Sequence, residues 1–371
     1  MNAPLILLTA GGTGGHLFPA EALANALKGL GARVALATDK RANAYAGSFP
    51  ADEIVEIPSA TPSGRSPLQM ARAALVLARG TLAAVPAIRR LKPAVVVGFG
   101  GYPTVPPVVA ASLLGVPTAI HEANGVMGRA NRLLARRASL IATGFASVKG
   151  IPANVPGKVL QTGNPIRPAV LEAAKQPYEA LGADTKFRLL VTGGSQGARV
   201  MSDVVPPAIE LLPPEIRSRL DICQQARGED LERVQTHYGR LGVDFEVQPF
   251  FKDLPRRIAS AHLVISRSGA STVAELAVIG RPSILVPLPG AIDQDQAANA
   301  RTLGDIGAAV VLPQPEFTPE RLAAELRAFI EHPDRLTRAA GAANSASITD
   351  AAERLARAVL QLASNKNGKN P

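Results

Sequence analysis

One local pattern occurs twice in this chain and leaves few folds open: a short apolar strand that runs into a glycine-rich turn and then a helix. The first copy is Leu5-Ile6-Leu7-Leu8, followed by Thr9-Ala10-Gly11-Gly12-Thr13-Gly14-Gly15-His16 and the Ala/Leu-rich run from Leu17 to Leu27. The apolar run reads as a strand buried on both faces, and Leu17 to Leu27 predicts a helix with Glu21 in an acidic first turn. The second copy is Phe187-Arg188-Leu189-Leu190-Val191-Thr192, then Gly193-Gly194-Ser195-Gln196-Gly197-Ala198-Arg199 opening another helix. At such a turn, backbone N–H groups and the positive end of a helix dipole face outward, where a phosphate can bind. Glycine admits positive φ and lets an anion approach without a Cβ in the way. A single loop of this kind can be no more than a tight turn; its recurrence at matching places argues for ligand binding.

The first loop is not one of the two commonest phosphate loops. A Walker loop ends in Gly-Lys-Ser/Thr, and no Lys precedes Lys28; the dinucleotide fingerprint needs a third Gly where Leu17 stands. The first loop instead ends in His16, whose neutral imidazole suits proton transfer near pH 7.

Short strands separated by helices continue through the first half. They read as Arg33–Thr38, Glu53–Ile57, Ala94–Val97, Thr118–Ile120, Leu140–Thr143 and Val159–Thr162, with a helical region from about Pro67 to Leu91. This alternation predicts an α/β fold with a parallel sheet, whose ligands bind beyond the carboxyl ends of the strands. Gly98-Phe99-Gly100-Gly101-Tyr102 and His121-Glu122-Ala123-Asn124 fall at that edge. After a hinge at Gly163–Pro168 the pattern restarts, with strands at Phe187–Thr192, Asp244–Val247, Leu263–Ile265 and Ser283–Val286. A helix from about Ala351 to Leu362 closes the chain. Ser266-Arg267-Ser268-Gly269 precedes Ala270-Ser271-Thr272-Val273-Ala274-Glu275, a capped helix start suited to a diphosphate. Glu275 there has the charge and reach for a ribose diol, or is an ordinary acidic residue favoured by the dipole. Pro287 to Ala300 is a loop and helix dense in amides and carboxylates, groups that suit sugar hydroxyls or cap a helix.

Composition narrows the class. A single cysteine, Cys223, excludes an internal disulfide and fits a reducing compartment, and with five scattered His leaves no zinc-type cluster. The N-terminus lacks the positive region of a signal peptide, and no window reaches the ~18 uninterrupted apolar residues of a membrane span. The net charge of +10 calls for an anionic partner. Aromatic residues are only 4%, with no Trp and no basic stripe interleaved with stacking rings, which argues against nucleic acid.

Taken in order, the two glycine loops, Gly98–Tyr102, His121–Asn124, Gly163-Asn164-Pro165-Ile166-Arg167, Ser266–Ala270 and Gln296 to Ala300 resemble the GT-B glycosyltransferases. Within these they resemble family 28, in particular the N-acetylglucosamine transferases of peptidoglycan synthesis, and the resemblance spans nearly the whole chain. It implies two Rossmann-like domains with parallel sheets facing each other across a cleft: 1–163 for the lipid acceptor and 164–345 for the donor. A C-terminal helix and tail, 346–371, would pack back on the first. It implies an inverting transfer of N-acetylglucosamine from UDP-GlcNAc to the C4 hydroxyl of the muramoyl unit of lipid I. No metal or other cofactor is implied; Asp293-Gln294-Asp295 spells a metal-binding Asp-x-Asp but lies in the family's amide loop.

Position by position, the resemblance assigns donor contacts to Thr13, Gly14, Gly15, Asn124, Arg167, Ser195, Phe251, Ala270, Ser271, Thr272, Val273, Ala274, Glu275 and Gln296. Phe251 would act through its backbone beside the uracil and Glu275 on the ribose. Ala123 stands where a Gln is usual, Ser271 where an apolar residue is usual, and the alignment around Gln294–Gln296 is open by one residue. His16 is the expected general base, with Glu122 or His121 as the rival. A polyprenyl acceptor implies a peripheral site on the cytoplasmic face of the inner membrane. Arg72, Leu75, Arg79 and Leu82, in a stretch that mixes cations with aliphatic residues, suit an anionic leaflet or else a solvated basic helix face. Two other readings stay open: a UDP-GlcNAc 2-epimerase of the same plan, and a peripheral protein that binds nucleotide sugar without turning it over.

Overall fold

Runs of three to six mostly β-branched and aliphatic residues become strands here because helices cover both of their faces. A computed structural model describes residues 3–11, 14–39, 49–60, 66–194, 197–290 and 294–367. The chain divides into two compact units, Met1–Arg167 with Asp350–Pro371, and Pro168–Thr349.

In the first unit, β1 (Leu5–Thr9), β2 (Arg33–Thr38), β3 (Glu53–Glu56), β4 (Val95–Gly98), β5 (Thr118–Glu122), β6 (Leu140–Thr143) and β7 (Lys158–Gln161) form one sheet. Their order is β3-β2-β1-β4-β5-β6-β7, with every pair parallel. Leu7 of β1 stands between Ala35 of β2 and Val96 of β4, and all three are buried. The second unit repeats the plan with β8 (Phe187–Thr192), β9 (Leu220–Gln225), β10 (Asp244–Gln248), β11 (Leu263–Ser266), β12 (Ser283–Leu285) and β13 (Ala309–Val311). These pair in the order β10-β9-β8-β11-β12-β13, again parallel. Each sheet reverses its strand order beside its first strand. In the first unit the loops after β1 and β4, and in the second, separately, those after β8 and β11, leave the sheet where doubly wound folds take ligands.

Two strands of the second sheet are absent from the sequence reading. Asp221, Cys223, Gln224 and Gln225 interrupt the apolar run of β9, and β13 is only three half-buried residues long. The terminal helix Ala351–Asn367 lays Leu355, Ala356 and Val359 into the same core as Ile6, Leu8, Leu23 and Leu27. Each large aliphatic side chain so buried contributes about 1.5–3 kcal/mol, so a segment remote in sequence becomes part of the first unit. Residues Asn164 to Arg167 also stay with that unit. Asn164 Nδ2 donates to the Ala123 carbonyl at 3.0 Å, and the Arg167 guanidinium lies 4.2 Å from the centre of the Phe18 ring.

Candidate active site

The helix after the first glycine loop begins at Gly14, earlier than its apolar periodicity suggests, and runs to Gly29. Glu21 is therefore well inside it, and the first turn carries no acidic residue. The expectation of an acidic first turn is thus corrected: the positive helix end keeps its charge for something else. Gly14 and Gly15 form this start, with Gly15 exposed; Thr13 lies outside the described residues.

His16 is partly buried, in the first turn of the helix. Its ring lies against the loop after β4, so close that a Cβ on Gly101 would stand 3.2 Å from two ring atoms and one on Gly100 3.4 Å from another. Gly100 and Gly101 also have φ of +83° and +71°, which a side chain would strain. Burial lowers the pKa of His16 below the ordinary imidazole value, and a hydrogen bond with the Phe99 backbone opposes this only in part. The Phe99 carbonyl can only accept, so the ring nitrogen facing it carries the proton. In neutral imidazole the other nitrogen is then the acceptor.

The loop after β5 is organised from within. Glu122 is 2% exposed, and its carboxylate accepts four hydrogen bonds. Oε1 takes the Asn124 backbone N–H at 2.9 Å and Asn124 Nδ2 at 3.2 Å; Oε2 takes the Gly128 N–H at 2.9 Å and Asn131 Nδ2 at 2.8 Å. Burial raises its pKa, and these donors work against the rise. A carboxylate offers about four lone-pair positions, so this one has none left for a substrate proton. Glu122 thereby ties the Asn124–Gly128 turn to the end of β5. His121 also faces inward, with Nε2 donating to the Gly163 carbonyl at 3.1 Å and burial lowering its pKa to about 4. His16 alone of the three meets the loop edge with an acceptor nitrogen.

Asn131 was not legible beforehand. It is 3% exposed in the helix Arg129–Leu134, donates to both the His121 carbonyl and Glu122, and lies across Gly100 from the His16 ring. Its only sequence signal is an amide amid Ala and Leu.

In the second unit the glycine loop after β8 is pinned rather than free. A Cβ on Gly193 would stand 2.1 Å from the Ala198 nitrogen, while Gly194 and Gly197 have φ of +82° and +68°. Gln225, at the end of β9, accepts from Thr192 Oγ1 and the Gly193 N–H, both at 3.0 Å. Ser195 lies outside the described residues. The helix Ala270–Ile279 starts at Gly269 with no side-chain cap, and a Cβ on Gly269 would meet only Thr272 Oγ1, at 3.9 Å. The first-turn N–H groups of Ala270, Ser271 and Thr272 have no intrahelical partners. Ala270, Ser271, Thr272 and Ala274 are partly exposed, Val273 points into the core and Glu275 is 8% exposed.

The third loop is tied to this helix start. Ser268 Oγ donates to the Gln296 carbonyl at 2.8 Å, and Asn299 Nδ2 donates to the Ser268 carbonyl at 3.1 Å. Gln296 Oε1 accepts the Leu288 N–H at 3.0 Å, so its amide closes the loop beginning at Pro287. Asp295 Oδ1 takes the Gln296 N–H at 2.9 Å, the work of a helix-start carboxylate. Arg267 donates to the Val286 and Pro287 carbonyls, each at 3.1 Å. Gln225 was missed as a site-building residue, because a polar side chain at a strand end carries no periodicity.

The helix Pro67–Leu91 is long and apolar enough to cross a membrane, yet it packs on the first unit through Ala73, Ala84 and Ile88. At Gly80 a Cβ would stand 2.1 Å from the Pro58 carbonyl oxygen. The opposite stripe carries Leu68, Leu75 and Leu82, exposed by 61, 53 and 72%, with exposed Arg72 and Arg79 between them. Leu113, at the end of the adjoining helix Val105–Leu113, is 72% exposed.

Residues 6–143 match the glycosyltransferase family 28 N-terminal domain, and residues 188–355 match the family 28 C-terminal domain. The chain is 63% identical over 361 residues to a protein of Methylobacterium sp. (strain 4-46), with 97% of each chain covered. That protein is the UDP-N-acetylglucosamine–N-acetylmuramyl-(pentapeptide) pyrophosphoryl-undecaprenol N-acetylglucosamine transferase. The crystal structure of Acinetobacter baumannii MurG superposes with a TM-score of 0.77 at 31% identity, covering 96% of this chain and 99% of that one. The kitacinnamycin glycosyltransferase has a TM-score of 0.71 at 18% identity, covering 98% and 100%, a likeness that shows the fold alone.

Proposed function

The chain belongs to glycosyltransferase family 28, and on that premise we propose how its residues share the work of moving N-acetylglucosamine onto a lipid-linked acceptor. The protein is an inverting glycosyltransferase. It takes the sugar from UDP-GlcNAc to the C4 hydroxyl of the muramoyl unit of undecaprenyl-diphospho-muramoyl pentapeptide, making lipid II from lipid I. Identity of 63% across 97% of a named transferase sets aside the 2-epimerase and the non-catalytic binder.

The observation that carries the chemistry is the uncapped start of the helix Ala270–Ile279. UDP leaves readily only if the charge that grows on its diphosphate is met as the bond breaks. Preorganised N–H groups at a helix end do that at no reorganisation cost. In our reading, Ala270, Ser271 and Thr272 hold the diphosphate through backbone, Val273 and Ala274 extend that turn, and Glu275 accepts from the ribose hydroxyls. Phe251 presents its backbone to the uracil; Gly14, Gly15, Asn124, Arg167 and Gln296 complete the donor set, with Thr13 and Ser195. His16, neutral through burial and oriented by Phe99, takes the acceptor proton as the C4 oxygen attacks the anomeric carbon and the bond to UDP breaks. The test is UDP release from UDP-GlcNAc with and without a lipid I analogue. Turnover that needs the analogue is expected; equal release without it would remove the transferase reading.

The acceptor's polyprenyl tail places the reaction at a membrane, and the outer stripe of the helix Pro67–Leu91 is our candidate for the contact. Leu68, Leu75 and Leu82 would enter the headgroup region, joined by Leu113, while Arg72 and Arg79 meet anionic lipid. At about 1 kcal/mol per well-placed cation, Arg72→Ala with Arg79→Ala lowers partitioning into phosphatidylglycerol vesicles about 30-fold. Sedimentation reads this. Partitioning that ignores both salt and these substitutions would dismiss the stripe.

A further inference from the structure

This inference rests on the reading that the Phe251 backbone lies beside the donor's base, and asks what holds that backbone still. β10 ends at Gln248 and the helix Leu254–Ser260 follows Asp253, so Pro249 to Lys252 form a short loop. Arg257 reaches back from the helix across this loop. Nη1 donates to Glu246 Oε2 at 2.6 Å and Nη2 to Glu246 Oε1 at 3.0 Å, while Nε donates to Asp253 Oδ1 at 2.8 Å. The guanidinium carbon lies 4.3 Å from the centre of the Phe251 ring, and Nη1 also donates to Cys223 Sγ at 3.0 Å. Glu246 precedes the loop, Asp253 closes it and Phe251 lies between them. One planar group thus grips the start, middle and end of the segment.

The opposite side of the loop is held as well. Gln225 Nε2 donates to the Pro249 carbonyl at 3.2 Å, while Gln225 Oε1 holds the second glycine loop. Phe251 is 5% exposed although its neighbour Phe250 is 58% exposed, so the inner ring is seated and its backbone position is set.

Stability alone is a poor account of this arrangement. The carboxylates of Glu246 and Asp253 are 44 and 45% exposed, and ion pairs open to water contribute little to folding. What the bidentate fork and the stacked ring supply is geometry, which Lys would not reproduce.

We propose that Arg257 is a positioning residue for the nucleobase: by fixing Phe251 it sets the affinity for the uridine part of the donor, separately from the diphosphate. The full-length protein and its Arg257→Ala, Arg257→Lys and Glu246→Gln variants are compared by calorimetry with UDP and with inorganic pyrophosphate, and by steady-state kinetics. Arg257→Ala raises the UDP dissociation constant and the KM for UDP-GlcNAc about tenfold, with kcat changed less than about threefold. Arg257→Lys falls between that variant and wild type, and pyrophosphate binding stays level. Should Arg257→Ala fail to fold, Glu246→Gln, on a half-exposed carboxylate, carries the same comparison with a smaller shift. Unchanged UDP affinity in these variants overturns the proposal, as does an equal loss for UDP and pyrophosphate. A wild-type protein that binds no UDP sinks the donor-site reading itself, whereas wild-type binding with indifferent variants sinks only the role of Arg257.

Discussion

His16→Ala is expected to lower kcat by about 10²–10⁴-fold, the usual contribution of a positioned general base, while the dissociation constant for UDP stays near that of wild type. The reason is geometric before it is electrostatic. The ring is seated against Gly100 and Gly101, where no side chain intervenes, and the Phe99 backbone fixes its orientation. Burial then supplies the right protonation state. A base works when neutral, and His16 has a pKa below the ordinary imidazole value. Its acidic limb in the kcat profile therefore lies below about pH 6.5, where a free imidazole would place it; activity is level through neutrality and declines only as pH falls through that lowered value. The alanine variant loses this limb together with the rate. Undiminished turnover by His16→Ala with donor binding intact would exclude the role.

The second large effect belongs to Glu122. Glu122→Gln keeps the volume and one acceptor oxygen but turns an NH2 toward two donors, either on the Asn124 side or on the Gly128 and Asn131 side. Asn131 cannot flip to rescue the pair, because its amide N–H also serves the His121 carbonyl. At least one backbone N–H is left buried without an acceptor. Loss of such partners costs about 1–3 kcal/mol each, only partly offset by relief from burying a charge. The expected net loss is about 2 kcal/mol in a denaturant melt. A fall in kcat of at least about tenfold accompanies it, because Asn131, which loses its Glu122 partner, lies across Gly100 from His16. A variant as stable and as active as wild type would remove the anchoring role and reopen Glu122 as a reacting group.

Much of the architecture was legible because it depends on local chemistry. Short aliphatic runs, glycines at strand ends and helices between them specify two doubly wound sheets, whichever residues later touch a substrate. Where the local signal thinned, the reading failed. β9 carries Asp221, Cys223, Gln224 and Gln225 and has no clean apolar run, yet it is an interior strand, paired with β8 on one side and β10 on the other. The helix after the first loop starts at Gly14, where the low helix propensity of glycine gives no sign of it.

The site divides along the same line. The sequence by itself determined which stretches reach the carboxyl edges of the sheets and which residues there can move a proton or meet an anion, since those follow from residue type and strand–turn–helix order. It could not tell a reacting group from a bracing one. Glu122 ends a strand and His16 opens the helix after another, both titratable, and only the tertiary structure shows one carboxylate saturated by four donors and one imidazole left with an acceptor nitrogen. The same holds for Gln225, Asn131 and Arg257, whose partners lie at positions that no period connects. Chemical capacity is a property of the residue, whereas availability depends on which lone pairs and N–H groups the packed neighbours have already taken.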